Sequence, residues 1–257
     1  MTLNPRTSDW KGRRIWLVGA STGIGAATAR LLLASGAKVA LSARNEAGLR
    51  DVAGGHADAL VLPADVTSEN DLRAAAARVE AAWGGIDLMI YLAGTYAPVR
   101  AWSIGVSAVR QTFEVNVVGC YAALAAALPG MLARRAGAVA IVSSVAGYRG
   151  LPNSIDYGPT KAALINLAEA LYLDLAPKGI AVHVVNPGFV ETPLTAQNKF
   201  RMPALMTADA AAREMLRGLE RGEFETHFPR RFTWWMKLLR RLPYRLYFAA
   251  VRRFTGL

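Results

Sequence analysis

At 257 residues, with 53% apolar and 19% charged side chains and a mean hydropathy of +0.22, the chain can fill the core of one large α/β domain; it is neither a disulfide-stapled miniprotein nor a disordered polymer. One cysteine, Cys120, excludes a disulfide framework and a Cys-based zinc site, and His56, His183 and His227 are too scattered for a metal cluster. The net charge of +11 is lopsided, because residues 1–228 hold 22 basic and 19 acidic side chains while the last 29 residues hold eight basic and no acidic ones.

Residues 1–14 lack an apolar run and a small-residue cleavage site, so no secretory signal is read and a cytoplasmic protein is expected. From there, apolar runs of strand length at 15–19, 38–42, 59–62, 88–93, 138–143 and 180–186 alternate with helical periods at 24–34, 68–83, 107–134 and 154–176. That alternation predicts a parallel sheet covered by helices on both faces, and right-handed crossovers point to a Rossmann-like doubly wound sheet. The uncharged run 115–133 has membrane-spanning length, but it is alanine-rich and contains Asn116, Pro129 and Gly130, which favours a buried helix. Residues 1–228 read as one nucleotide-binding and catalytic domain, with an irregular substrate lid at about 189–207 and a helix at 208–220. Residues 229–257 read as a basic, aromatic helical extension.

Directly after the first strand comes Gly19-Ala20-Ser21-Thr22-Gly23-Ile24-Gly25, leading into a helix. Strand, glycine turn and helix N-terminus together aim backbone N–H groups and the positive end of the helix dipole at a phosphate. The spacing, Gly-x3-Gly-x-Gly, resembles the glycine motif of the classical short-chain dehydrogenases/reductases. Further matches to that family follow in chain order: Asp65-Val66, Leu92-Ala93-Gly94, Asn116, Ser143-Ser144, Tyr157-x3-Lys161 and Asn186-Pro187-Gly188-x3-Thr192. The resemblance covers roughly residues 12–193 and implies about seven strands in the order 3-2-1-4-5-6-7. There are departures: Val18 stands where the family carries threonine, Tyr91-Leu92 where it carries paired asparagines, and Pro159 where alanine is usual. Since proline is tolerated in a helix's first turn, Pro159 suggests a helix that begins near Tyr157.

The resemblance implies a nicotinamide cofactor held by Gly19, Ser21, Thr22, Gly23, Ile24 and Gly25 at the phosphates. Asp65 and Val66 would meet the adenine, with Ala93 and Gly94 alongside; Pro187, Gly188, Val190 and Thr192 would border the nicotinamide and phosphates. After the second strand, Ala43 occupies the place where an acid would bond the ribose 2′-hydroxyl, and Arg44-Asn45 follows. An arginine there favours a 2′-phosphate, so the expected cofactor is NADP(H).

The resemblance also implies that Tyr157 is the general acid/base for hydride transfer between nicotinamide C4 and a carbonyl or alcohol. Ser144 would bond the reacting oxygen, Lys161 would hold the nicotinamide ribose, and Asn116 would help anchor a water leading from Lys161 to solvent. On helical spacing alone, the Cβ atoms of Tyr157 and Lys161 lie about 5 to 6 Å apart, and the ammonium is taken at that range. At an effective dielectric of about 20 it favours phenolate by roughly 3 kcal/mol, while desolvation acts the other way. Ser143 reads as structural, Cys120 as a small buried apolar group and His183 as a core residue.

Tyr96, Ala97, Tyr148, Leu151 and Phe189, with lid residues Phe200, Met202, Leu205 and Met206, are expected to wall a lipophilic ketone, aldehyde or alcohol. In the extension, Trp234, Trp235, Leu238, Leu239 and Leu242 share one helical face and Lys237, Arg240 and Arg241 the other, with a second amphipathic stretch at 244–254. Two readings stay open for residues 230–254: peripheral contact with a membrane surface, or packing over the cleft or a subunit interface. No nucleic-acid recognition motif is present. A homo-oligomer, dimer or tetramer, is expected from the resemblance. The rival to an enzyme is an NADP-binding regulatory or interaction protein that acts through the tail, its catalysis vestigial.

Overall fold

The computed structural model describes residues 2–198 and 200–256. Seven parallel strands, β1 (Arg14–Val18), β2 (Lys38–Ser42), β3 (Ala59–Val61), β4 (Leu88–Tyr91), β5 (Gly137–Val142), β6 (Ile180–Pro187) and β7 (Glu225–Phe228), form one sheet in the order β3-β2-β1-β4-β5-β6-β7. The strands are continuous apolar runs because both faces are covered. Trp16, Val18, Met89, Tyr91, Val139 and Ile141 point to one face, which packs on α3 (Glu69–Trp83), α5 (Gly119–Arg134) and α6 (Tyr157–Leu175). Ile15, Leu17, Ile90, Ala140 and Val142 point to the other, which packs on α1 (Gly23–Ala34), α2 (Glu46–Ala53) and α7 (Ala208–Glu220).

The chain reverses its winding between β1 and β4, whose registers end at Val18 opposite Tyr91. A crevice therefore opens beyond the carboxyl ends of the strands, where α/β sheets take their ligands.

Two elements had no place among the elements assigned from periodicity. The first is α2, eight residues long, capped at its start by the Asn45 side chain, which accepts from the Gly48 N–H, and at its end by left-handed Gly54. The second is β7, four residues whose polar members Glu225 and His227 hide its alternation. The expected helix at 107–134 is interrupted. It comprises α4 (Val106–Phe113), a π-helical turn over Glu114–Val118 that contains Asn116, and α5. By length and composition this run could cross a membrane, yet Cys120, Ala123, Leu124, Ala127 and Met131 are buried in the core. As Pro159 suggests, α6 begins at Tyr157.

The extension forms α8 (Arg230–Arg240) and α9 (Tyr244–Thr255), separated by Pro243. Both pack on the body, α8 through Thr233 and Met236 and α9 through Tyr247. Of the expected apolar face of α8, Leu239 packs against the core beside Phe232 and Met236. Trp234, Trp235 and Leu238 are exposed, while Lys237 turns inward to Glu225 at 2.7 Å and Arg240 lies over the Tyr148 ring.

Candidate active site

A cleft of about 420 Å³ opens at the carboxyl end of the sheet. One wall is the glycine turn. Gly19 has a φ of +101°, and a Cβ there would lie 2.4 Å from the Ala93 nitrogen, so no other residue fits between β1 and the turn after β4. Gly25 lets α1 meet the turn, since a Cβ would come 2.1 Å from the Gly19 carbonyl oxygen. Thr22 is the N-cap residue of α1, and its side chain makes no capping hydrogen bond. A cradle that any Cβ would fill, at the positive end of a twelve-residue helix, fits a dinucleotide's phosphates.

The cleft wall also includes Ser21, Gly23, Ile24, Arg44, Asn45, Asp65, Val66, Ala93 and Gly94, with Pro187, Gly188, Val190 and Thr192 opposite. Arg44 projects into solvent at its edge. Asp65 holds its own loop, accepting from the Thr67 N–H (2.9 Å) and hydroxyl (2.8 Å). Pro193, Leu194 and Thr195 line the cleft as well and were not singled out in the sequence, although they fall inside the expected lid. The lid's base is closed by a bridge between Val190 and Met206, in which the Glu191 N–H donates to the Met206 carbonyl at 2.8 Å and the Met206 N–H to the Phe189 carbonyl at 3.0 Å. The Thr195 hydroxyl donates to the Val190 carbonyl at 2.6 Å, which turns the lid back toward the glycine turn.

Ser144, Tyr157 and Lys161 share the floor of the cleft. Ser144, just past β5, is extended, and its hydroxyl accepts from the Ala146 N–H at 3.1 Å. Ser143 is structural, its hydroxyl donating to the Lys161 carbonyl at 2.7 Å. Lys161 is buried; its ammonium donates to the Val142 carbonyl at 3.0 Å and lies 5.5 Å from the centre of the Tyr157 ring. Tyr157 opens α6, and its N–H donates to the buried Asp156 carboxylate at 2.7 Å.

The electrostatics differ from helical spacing alone. Burial pushes the Tyr157 phenol up to about 12, outweighing the pull of the Ser144 hydroxyl. Burial likewise brings Lys161 down to about 8. Near neutral pH the pair is a phenol beside an ammonium, a proton donor with a cation close by.

Asn116 does not line the cleft. From the π-helical turn, its Oδ1 accepts from the Thr95 N–H (2.7 Å), and its Nδ2 donates to the Thr95 carbonyl and the Thr160 hydroxyl, each at 3.0 Å. It thereby ties the loop after β4 to α6.

The expected substrate wall divides. The Tyr96 ring packs edge-on to Tyr157 at 5.0 Å, and its hydroxyl donates to Asn198 Oδ1 at 3.0 Å, linking reaction floor to lid. Phe189 touches Phe200 at 5.6 Å, next to the cleft-lining Gly188 and Val190 but outside the lining itself; Met202 accepts from Asn198 Nδ2, and Leu205 is half exposed. Tyr148 and Leu151 are elsewhere. Tyr148 is buried, and its hydroxyl donates to Glu225 at 2.5 Å, while Leu151 packs against the core. Arg149 points to the extension.

The sequence profile described as short chain dehydrogenase matches residues 13–202. The chain belongs to this family. An uncharacterized oxidoreductase of Myxococcus xanthus is 36% identical over 246 residues, 94% of this chain and 97% of that protein. A cis-4-hydroxycyclohexanecarboxylate dehydrogenase of Sinomonas cyclohexanicum is 37% identical over 80% of this chain and 83% of its own length. Among solved structures, a 3-ketoacyl-(acyl-carrier-protein) reductase of Brucella melitensis complexed with NADH superimposes with a TM-score of 0.79 at 25% identity, covering 86% of this chain and 99% of that one. As a short-chain dehydrogenase the chain is an oxidoreductase, and the family's cofactor is a nicotinamide dinucleotide.

Proposed function

We propose that this short-chain dehydrogenase is an NADP(H)-dependent enzyme that interconverts a lipophilic ketone or aldehyde and its alcohol, with Tyr157 as general acid/base. The observation that carries the reading is the convergence of Ser144, Tyr157 and Lys161 on the floor of the cleft whose wall is the glycine turn. The cofactor supplies or takes up the hydride. Tyr157, a phenol near neutral pH, donates its proton to the carbonyl oxygen in reduction and recovers one in oxidation. Ser144 hydrogen-bonds that oxygen as charge develops, and Lys161 keeps a positive charge beside the phenol. Asn116 positions the loop and α6 through Thr95 and Thr160. The aromatic rim of Tyr96, Phe189 and Phe200 supports a lipophilic substrate.

Preference for NADP(H) rests on Arg44 and on the absence of an acid at Ala43; the Brucella reductase was solved with NADH, so the fold alone does not choose. Exposed Val118, Tyr121 and Leu173, beside and on α5 and α6, support a homo-oligomer paired through those helices.

Oxidation of NADPH and of NADH over a panel of hydrophobic carbonyls tests the reading. Tyr157→Phe is expected to lower turnover by about 10² to 10⁴-fold. Arg44→Ala is expected to raise the KM for NADPH by about ten-fold or more while leaving that for NADH nearly unchanged. Equal turnover by Tyr157→Phe and the parent would remove Tyr157 from the chemistry, and unchanged discrimination in Arg44→Ala would remove the 2′-phosphate argument.

A further inference from the structure

The extension buries one apolar stripe and leaves a second apolar face uncovered. In an amphipathic helix laid on its own protein the apolar face is ordinarily the one that turns in. In α8 the inward side carries Phe232, Thr233, Met236 and Leu239, with Lys237 and Arg240 at its margin, whereas Trp234, Trp235 and Leu238 are 61%, 66% and 53% exposed. The orientation is fixed from the body. Arg149 donates to the carbonyls of Leu239, Arg240 and Leu242, the last at 2.6 Å, and its guanidinium lies 4.0 Å from the centre of the Tyr247 ring and 4.7 Å from that of Tyr244. The apolar face of α8 is therefore preformed and held toward solvent.

Charge defines what fits it. Of the eight cations in the extension, Arg230 pairs with Glu223 and Lys237 with Glu225; Arg231, Arg240, Arg241, Arg245, Arg252 and Arg253 have no acidic partner among the described residues. On α9 the side away from Tyr247 carries Arg245, Arg252 and Arg253, flanked by exposed Leu246 and Phe248. Exposed tryptophans beside unpaired arginines suit a headgroup layer, which takes aromatic rings at its depth and offers the counter-charge. A second copy suits it poorly, because a two-fold contact through this face would set the same arginines against each other.

We propose that α8 and α9 form a docking surface for an anionic phospholipid bilayer. The surface adjoins the cleft, since Phe232 of α8 packs 5.7 Å from Phe189, whose ring meets Phe200 of the lid. Docking thus brings the aromatic rim to the lipid headgroups. Entry of substrate from the bilayer rests on the lipophilic-carbonyl reading above; docking does not.

The test is co-sedimentation of the full chain with vesicles of phosphatidylcholine alone and of phosphatidylcholine with phosphatidylserine, at low and high salt. The parent is expected to partition onto the anionic vesicles, with a blue shift in tryptophan emission, and to be released by salt. Arg245→Gln/Arg252→Gln/Arg253→Gln is expected to lose about 10²-fold in partitioning. Trp234→Ser/Trp235→Ser/Leu238→Ser, confined to exposed positions, is expected to lose both binding and blue shift. Failure of the parent to bind anionic vesicles, or equal binding by parent and both variants, overturns the proposal. So does an apolar variant that lowers the mass in sedimentation velocity while vesicle binding is unchanged, for the face would then seat a second copy. Bromine-quenching of the parent's tryptophans by brominated anionic lipid reads docking without any variant. None of these arms uses NADPH turnover, so a failed carbonyl assay and a failed vesicle assay condemn different readings.

Discussion

Tyr91 stands where the family carries an asparagine, and its side chain does work that an asparagine could not reach. It is fully buried at the end of β4, and its hydroxyl donates to the Val115 carbonyl at 2.5 Å. Val115 lies in the π-helical turn, where the backbone ladder is displaced and carbonyls need partners from outside. The next residue is Asn116, so a phenol from β4 braces the turn that aims the amide at Thr95 and Thr160. Tyr91→Phe keeps the packing and removes only the donor. It is expected to cost about 1 to 3 kcal/mol in urea unfolding, as a buried carbonyl loses its bond, and to lower kcat more than it raises KM. Unchanged stability would show that the turn holds without the phenol. The departure was legible in the sequence; its role was not, because the π turn interrupts a helix whose period reads as continuous.

Among the elements, those whose periodicity is strong were legible, the first six strands and the long helices to within one to three residues of their bounds, and so was the order of the sheet. What periodicity misses is short or polar. In β7 Glu225 and His227 mask the alternation, and Glu225 is the hub that recasts Tyr148 from substrate wall to buttress. Burial works against the Glu225 charge, but Lys237, Tyr148 and Asn186 together hold the carboxyl below its usual range. The cleft floor was legible residue by residue through motif order, whereas Asn116 and Tyr148 depended on partners far away in sequence. Spacing also left open which face of α8 turns inward, because the half-buried acid at Glu225, distant in sequence, helps to decide it. Arg149 is the second determinant. Arg149→Met keeps the stem and removes the donors to the end of α8, and is expected to speed amide exchange across α8 and α9 by about ten-fold or more while the sheet stays protected. Unaltered exchange there would assign the orientation to Glu225 alone.

Across the whole molecule, the N-terminal segment, the sheet edge and the turn before β7 meet at His183. Asn4 donates to the Val182 carbonyl at 2.7 Å and accepts from the Val182 N–H at 3.2 Å. The neighbouring His183 ring lies with Nδ1 2.7 Å from the Glu223 carbonyl, a contact that makes Nδ1 the protonated nitrogen of the neutral ring. Burial brings this imidazole down to about 4, from an ordinary value near 6.5. The folded state then resists a proton that the unfolded chain accepts. Stability is full above about pH 6.5 and is lost as pH falls toward 4, where the folded ring titrates too. One such group contributes a slope approaching about 1.4 kcal/mol per pH unit, or about 3 kcal/mol over the window. The chain's +11 charge rises further in the same range, so self-repulsion adds to the loss. The two contributions separate by substitution and salt. His183→Gln, compared with the parent by urea unfolding at intervals from pH 7 to pH 4, is expected to flatten the slope by up to one proton, and the part that remains is expected to weaken with added salt. A parallel pair of slopes would mean that the imidazole titrates alike in the folded and unfolded chain, and the acid sensitivity would then belong to the net charge.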